Sequence, residues 1–273
     1  MGKAGLNIRS ALFLAAVCGQ TYSQFNHPEG WFLVPKGYSA VGTFDGKAYA
    51  GTRERFGFII ESDNSFIAAF RGTGSAEDWA SDLIADQTDY FPVKGAGLTH
   101  RGFTDIYKSI RETLLGRLAR LPANKPLFIT GHSLGGALAT LAALDISANT
   151  GFRNPKVYTF AAPRVGNPAF VGMYNRTIAS HYRIQNEFDM IPHLPPLVYS
   201  SPRTNQKSYY MHVRGKVKRS FQTGTISGNH VLGNYFSDLA KDDPAFAAAL
   251  CAYPPGWCPG VRSGARRTGM RGR

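Results

Sequence analysis

The spacing of apolar residues changes several times along the chain, and each change marks an expected element. Over 10–24, Leu12, Ala15, Ala16 and Tyr22 recur at helical intervals and predict an amphipathic helix with that face inward. Lys3 and Arg9, ahead of the apolar run 11–18, also resemble the charged and apolar regions of a signal peptide. That run is only 8 residues long and no clean small-x-small site follows, so the helix is preferred. From 48 to 71 the pattern turns to strands, over 49–52, 56–61 and 66–71, and the turn formers Ser62, Asp63 and Asn64 predict a hairpin between the last two. Phe66, Ile67, Ala68, Ala69 and Phe70 are apolar without interruption, as in a strand covered on both faces. Phe103, Ile106, Tyr107, Ile110, Leu114, Leu115 and Leu118 predict a helix over 103–121 with one face on the sheet. Strands follow over 156–160 and 181–186. This alternation predicts an α/β fold with a largely parallel central sheet and helices on both faces.

Between two of those elements the chain carries its chemistry. Pro126 to Thr130 form a short apolar run, 137–144 is strong helix-forming sequence, and Gly131-His132-Ser133-Leu134-Gly135-Gly136 joins them. Strand, tight turn and helix in that order place Ser133 where the strand reverses, so that its hydroxyl projects from the sheet's carboxyl end. Gly131 and Gly135 keep side chains out of the space where strand and helix converge, and the Leu134 amide faces a developing oxyanion. A second donor is expected from Thr73, which lies in the glycine-flanked break Arg71-Gly72-Thr73-Gly74-Ser75 just past a buried strand. The segment 75–84 reads as a short helix with Trp79 and Leu83 on one face. That face either joins the core or lies over the site as a lid.

A nucleophilic serine requires a base, and the base an orienting acid, both following the serine in α/β-hydrolase chain order. Asp189, in the loop after the strand 181–186, is the expected acid. Glu187 is its nearest competitor, and Asp145, late in the elbow helix, is less suited. His193 is too close in sequence to Asp189, and His212 lies within an apparent strand over 208–213. His230, after Gly228-Asn229 and before a helix over 231–239, is the expected general base.

Composition narrows the class. The 273 residues, 43% hydrophobic with mean hydropathy −0.21, suit one large core. One domain is expected over 1–258, with a basic Gly/Arg-rich tail over 259–273 expected to be disordered. No apolar stretch approaches the roughly 20 residues of a membrane span. Five arginines of the tail carry part of the formal charge of +13. The excess favours anionic surfaces, and no nucleic-acid recognition motif accompanies it. The basic run 214–219 either attracts an anionic lipid surface or forms a solvated strand edge. Cys18 reads as a buried thiol, and the loop between Cys251 and Cys258 is compatible with either a disulfide or two thiols. No Cys/His spacing resembles a zinc site, and the chemistry needs no metal or organic cofactor.

With Phe70-Arg71-Gly72-Thr73-Gly74, Asp78-Trp79-Ala80-Ser81-Asp82-Leu83, His100-Arg101-Gly102-Phe103, the serine elbow, Thr159-Phe160-Ala161-Ala162-Pro163-Arg164-Val165-Gly166, the segment 189–196 and Gly228-Asn229-His230 together, the chain resembles the class 3 lipases, which have the α/β-hydrolase fold. The resemblance spans about 10–246 and looks more like a bacterial branch of the family. It implies a triad of Ser133, Asp189 and His230, oxyanion donors Thr73 and Leu134, support of the Thr73 hydroxyl by Asp82, and a lid over 75–84 bearing Trp79 and Leu83. The expected activity is carboxylic-ester hydrolysis, foremost on triacylglycerols at a lipid–water interface, with Leu194, Pro195, Pro196, Leu197 and Val198 as an apolar wall. An esterase on soluble substrates, feruloyl-esterase-like, or a phospholipase is the alternative. A non-catalytic binding protein on the same scaffold is the alternative of another class. No clear signal peptide decides between a secreted and a cytoplasmic protein, and no oligomeric state is expected in particular.

Overall fold

The computed structural model describes residues 5–49, 51–73, 85–202, 204–252 and 254–260. A seven-stranded sheet organises them, in the order β1 (Ser39–Lys47), β2 (Arg53–Glu61), β3 (Phe66–Phe70), β6 (Leu127–His132), β7 (Lys156–Phe160), β8 (Ser180–Asn186), β11 (Lys216–Arg219). The pairs β1–β2 and β2–β3 are antiparallel, and every pair from β3 to β11 is parallel. Two-stranded ribbons, β4 (Gln87–Asp89) with β5 (Leu98–His100) and β9 (Val198–Ser200) with β10 (Lys207–Tyr209), lie outside it.

Side-chain alternation along the buried strands divides the interior into two layers. Phe66, Ala68 and Phe70 of β3, with Ile129 of β6 and Val157 of β7, face α2 (Arg101–Leu118), α3 (Leu134–Asn149) and α4 (Pro168–Thr177). Ile67, Ala69, Tyr158 and Phe160 face α1 (Ile8–Asn26) and α6 (Leu232–Ala240), with the short α5 (Ile226–His230) and α7 (Pro244–Cys251) at that side's rim. The stretch that resembles a signal peptide is therefore a core helix. Asn7 caps α1, its side chain accepting from Ser10 N at 2.9 Å, and Ala11, Leu12, Ala15 and Ala16 are buried. In α3 every residue from Leu134 to Ser147 is buried, which explains why its sequence shows no polar face.

Two expectations require correction. The first strand is 39–47 and not 49–52, where the chain instead turns with Ala48 N donating to Thr52 O. β1 is a half-exposed edge strand with two register shifts, so no clean alternation announces it. His212 lies beyond β10, which ends at Tyr209, and its Nε2 meets the Pro192 carbonyl at 2.7 Å. The basic run 214–219 contributes β11, the sheet's far edge, where Arg219 binds Asp238 and Asp242 and Lys218 pairs with Glu187. Cys251 and Cys258 form a disulfide that draws in the buried Trp257, and Cys18 is a buried free thiol. Among the described residues no helix is long and apolar enough to cross a membrane. The expected tail beyond residue 260 lies outside the described residues.

Candidate active site

The elbow forms where local sterics require it. Ser133 joins β6 to α3 with φ +56° and ψ −128°, a conformation that costs a non-glycine residue about 1–3 kcal/mol and persists where packing over-determines it. The packing is close on both sides. A Cβ on Gly131 would collide with the Gly135 carbonyl, and one on Gly135 with the Phe70 carbonyl. Ser133 N donates to Phe160 O at 3.0 Å, tying the turn to β7. As the first residue of α3, Leu134 has no carbonyl one turn behind it, which leaves its N–H free of the helix ladder.

Asp189 and His230, 41 residues apart, meet beside this turn. His230 Nδ1 lies 2.8 Å from Asp189 Oδ2, with His230 8% and Asp189 1% exposed. A carboxylate only accepts, so Nδ1 carries a proton, and in a neutral ring Nε2 then presents its lone pair. The acid is fully bonded: Oδ2 also accepts from Tyr235 Oη at 2.7 Å, and Oδ1 from Ile191 N at 2.9 Å. Asn186, at the end of β8, bridges the two loops by donating from its amide to Asn229 O, while its backbone N–H donates to Tyr235 Oη at 3.0 Å. The competing acids serve elsewhere. Glu187 faces Lys218 and Ser220, whose bonds hold its carboxyl below the usual range. Asp145 is buried among Tyr107, Arg111 and Asn149.

His230 reaches the elbow through its own backbone. His132 Nε2 lies 2.7 Å from the His230 carbonyl, and the two rings are 4.7 Å apart. Ser133 Oγ and His230 Nε2 are both buried and, among the described residues, carry no hydrogen bond. Such a pair often closes only with substrate bound.

Next to the expected donor Thr73, Gly72 lies directly against the serine, where an added Cβ would be 3.1 Å from Ser133 Cβ. Arg71, buried at 2% exposure, donates to Gly72 O at 2.7 Å and to Arg55 O at 2.9 Å and pairs with Glu54 at 2.6 Å. Burial lowers its pKa, against the opposing influence of Glu54. In a trans peptide the C=O and the following N–H point oppositely, so Arg71 orients the Thr73 N–H away from itself. Asp82, Trp79, Leu83 and the expected lid 75–84 lie outside the described residues. Sequence reasoning gave no site role to Tyr235, Asn186, Arg71, His132 or Tyr22. Each is a polar side chain in an apolar setting, but only the assembled site gives it a role.

A mostly parallel sheet that presents a strained serine between strand and helix is the arrangement of the α/β-hydrolases, and this chain is one of them. Residues 67–199, just under half of the chain, match the family model for Lipase (class 3). It is 37% identical over 146 residues to a lipase of Rhizomucor miehei, across 51% of this chain and 40% of that protein. It is 30% identical over 161 residues to a secreted mono- and diacylglycerol lipase of Fusarium solani, across 57% and 47%. The chain thus spans under half the length of these curated relatives. The lipase structure from Rhizopus microsporus var. chinensis superposes with a TM-score of 0.61 at 26% identity, covering 86% of each chain. A triacylglycerol lipase whose catalytic centre is a serine protease triad superposes with a TM-score of 0.61 at 25% identity, over 77% of this chain and 87% of that one. The named relatives are fungal and lend no support to a bacterial branch.

Proposed function

We propose that the protein is a serine carboxylic-ester hydrolase, a lipase acting on acylglycerols, with Ser133 as nucleophile, His230 as general base and Asp189 as the orienting acid. The observation that carries the reading is the 2.8 Å His230–Asp189 contact formed beside a serine in a strained elbow. With Nδ1–H committed to Asp189, the Nε2 lone pair takes the Ser133 proton as Oγ attacks the ester carbonyl carbon. The tetrahedral oxyanion is held by the N–H groups of Leu134 and Thr73, each worth on the order of 3 kcal/mol in the transition state. Its collapse expels the alcohol, which takes the proton back from His230. Water, deprotonated by the same imidazole, then cleaves the acyl-enzyme.

The acyl-chain side of the reading is supported by apolar residues exposed on the loops around the acid and base. Phe188 and Met190 flank Asp189, Val231 follows His230, and Leu197 and Val198 belong to the expected wall. The lipase activity of the named relatives agrees with it. Rates on p-nitrophenyl esters from acetate to palmitate, for the parent and Ser133→Ala, test the chemistry, with S133A expected to lose at least 10³-fold. A parent that leaves these esters untouched, with S133A no different from it, would favour a binding protein on a hydrolase scaffold. Activity that jumps when tributyrin passes its solubility limit identifies a lipase, whereas smooth saturation identifies an esterase on soluble substrates.

A further inference from the structure

His230 comes from an exposed stretch. Residues 222–227 are exposed, and the base closes the five-residue helix α5. Asp189 holds one end of the residue, the imidazole. The other end, its backbone carbonyl, meets His132 Nε2 at 2.7 Å, and His132 in turn meets Tyr22 Oη at 2.7 Å through Nδ1. The proton positions follow without ambiguity. A carbonyl can only accept, so His132 Nε2 bears a hydrogen, and a neutral ring then offers Nδ1 as acceptor to the Tyr22 hydroxyl. His132 is neutral because burial, and next the neighbouring His230, hold its pKa well below the ordinary value. One directed chain therefore runs from Tyr22 on α1, through His132 on β6, to the carbonyl of the base. None of its links exchanges a proton with substrate in the proposed reaction.

We propose that Tyr22 and His132 are positioning residues that set the distance between the base and the nucleophile. His132 is covalently joined to Ser133 and hydrogen-bonded to His230, so that bond links the two reacting groups directly, beside the Asp189 contact to the imidazole and the Asn186 bond to the Asn229 carbonyl. Tyr22 keeps the His132 tautomer that can form it. A misplacement of about 1 Å in such a pair costs roughly 10²-fold in rate. The inference rests on the proposed role of His230.

The two arms of His132 are separable by amide substitution. In His132→Asn the amide oxygen stands near Nδ1 and still accepts from Tyr22, but nothing reaches the His230 carbonyl. In His132→Gln the amide nitrogen stands near Nε2 and restores that donor. On p-nitrophenyl butyrate we expect kcat to fall about 30- to 100-fold in H132N with KM within twofold, and H132Q to recover to within about fivefold of the parent. Tyr22→Phe, which frees the tautomer while keeping the ring, is expected to lower kcat about tenfold at unchanged KM. Thermal unfolding of each variant separates this from a structural role, which would lower Tm and leave the kcat of the folded fraction unchanged. Parental kcat in H132N, equal losses in H132N and H132Q, or parental kcat in Y22F each overturn the inference. If the His132 variants do not fold, Y22F decides alone. An S133A control distinguishes the levels: an active S133A removes the proposed function itself, whereas an inactive S133A beside a fully active H132N removes only the positioning role.

Discussion

Replacing Asp189 with Asn tests the site through a proton count. Oδ1 accepts from the Ile191 N–H at 2.9 Å, so the amide must keep its oxygen there and turn its NH₂ to the Oδ2 position. That position now receives two donors, His230 Nδ1–H and the Tyr235 hydroxyl. The tyrosine rotates its proton away, but the imidazole must change tautomer, placing its proton on Nε2, where it can no longer accept from Ser133. The elbow and the sheet are untouched. The expected loss in kcat is on the order of 10⁴, roughly 5–6 kcal/mol at 1.36 kcal/mol per factor of ten, with KM nearly unchanged. Steady-state kinetics on p-nitrophenyl butyrate read it, with Glu187→Gln as comparator. Because Glu187 faces Lys218 and Ser220, E187Q is expected within about threefold of the parent. D189N retaining more than a tenth of parental kcat, or E187Q losing as much as D189N, would refute the assignment of the acid.

Away from the site, Asp145→Ala leaves the Tyr107, Arg111 and Asn149 donors around a buried position unpaired, and should destabilise by about 3–5 kcal/mol in urea titration while the folded fraction keeps its kcat within twofold. Reduction of the Cys251–Cys258 disulfide, which spans 7 residues, should cost about 2–3 kcal/mol of stability. An unfolding curve identical with and without dithiothreitol would contradict that. Burial pushes the His100 pKa down to about 3 and those of His132 and His181 well below the usual value. These rings stay neutral in the folded chain while the unfolded chain takes up their protons below about pH 6.5, so stability is complete above that pH and falls on acidification. Each contributes a slope of up to about 1.4 kcal/mol per pH unit, and urea midpoints that do not change from pH 7 to 5 would oppose this.

What the sequence by itself determined lies where the physics is local. Whether strand can turn into helix at residues 131–136 depends on the few atoms that a Cβ at Gly131 or Gly135 would strike, and all of them belong to the turn or to a strand end packed on it. The uninterrupted apolar run of β3 and the helical spacing of α2 report burial directly, because each places its side chains on known faces. Elements bounded by long-range partners were not legible. β1 is readable only against β2, and for the basic run 214–219, which the sequence left between a lipid-attracting run and a strand edge, the parallel edge of β8 decides for β11.

The same division runs through the site. The proposed triad of Ser133, Asp189 and His230 was nameable from residue type and chain order, but the bonds around it join residues far apart in sequence, such as Tyr22 with His132 and Asp189 with Tyr235. Tyr22 alone is one aromatic on an inward helix face. Only the packing of α1 across the sheet brings its hydroxyl to the elbow, because a hydrogen bond between distant segments is decided by where the core holds them and leaves no periodic trace in either.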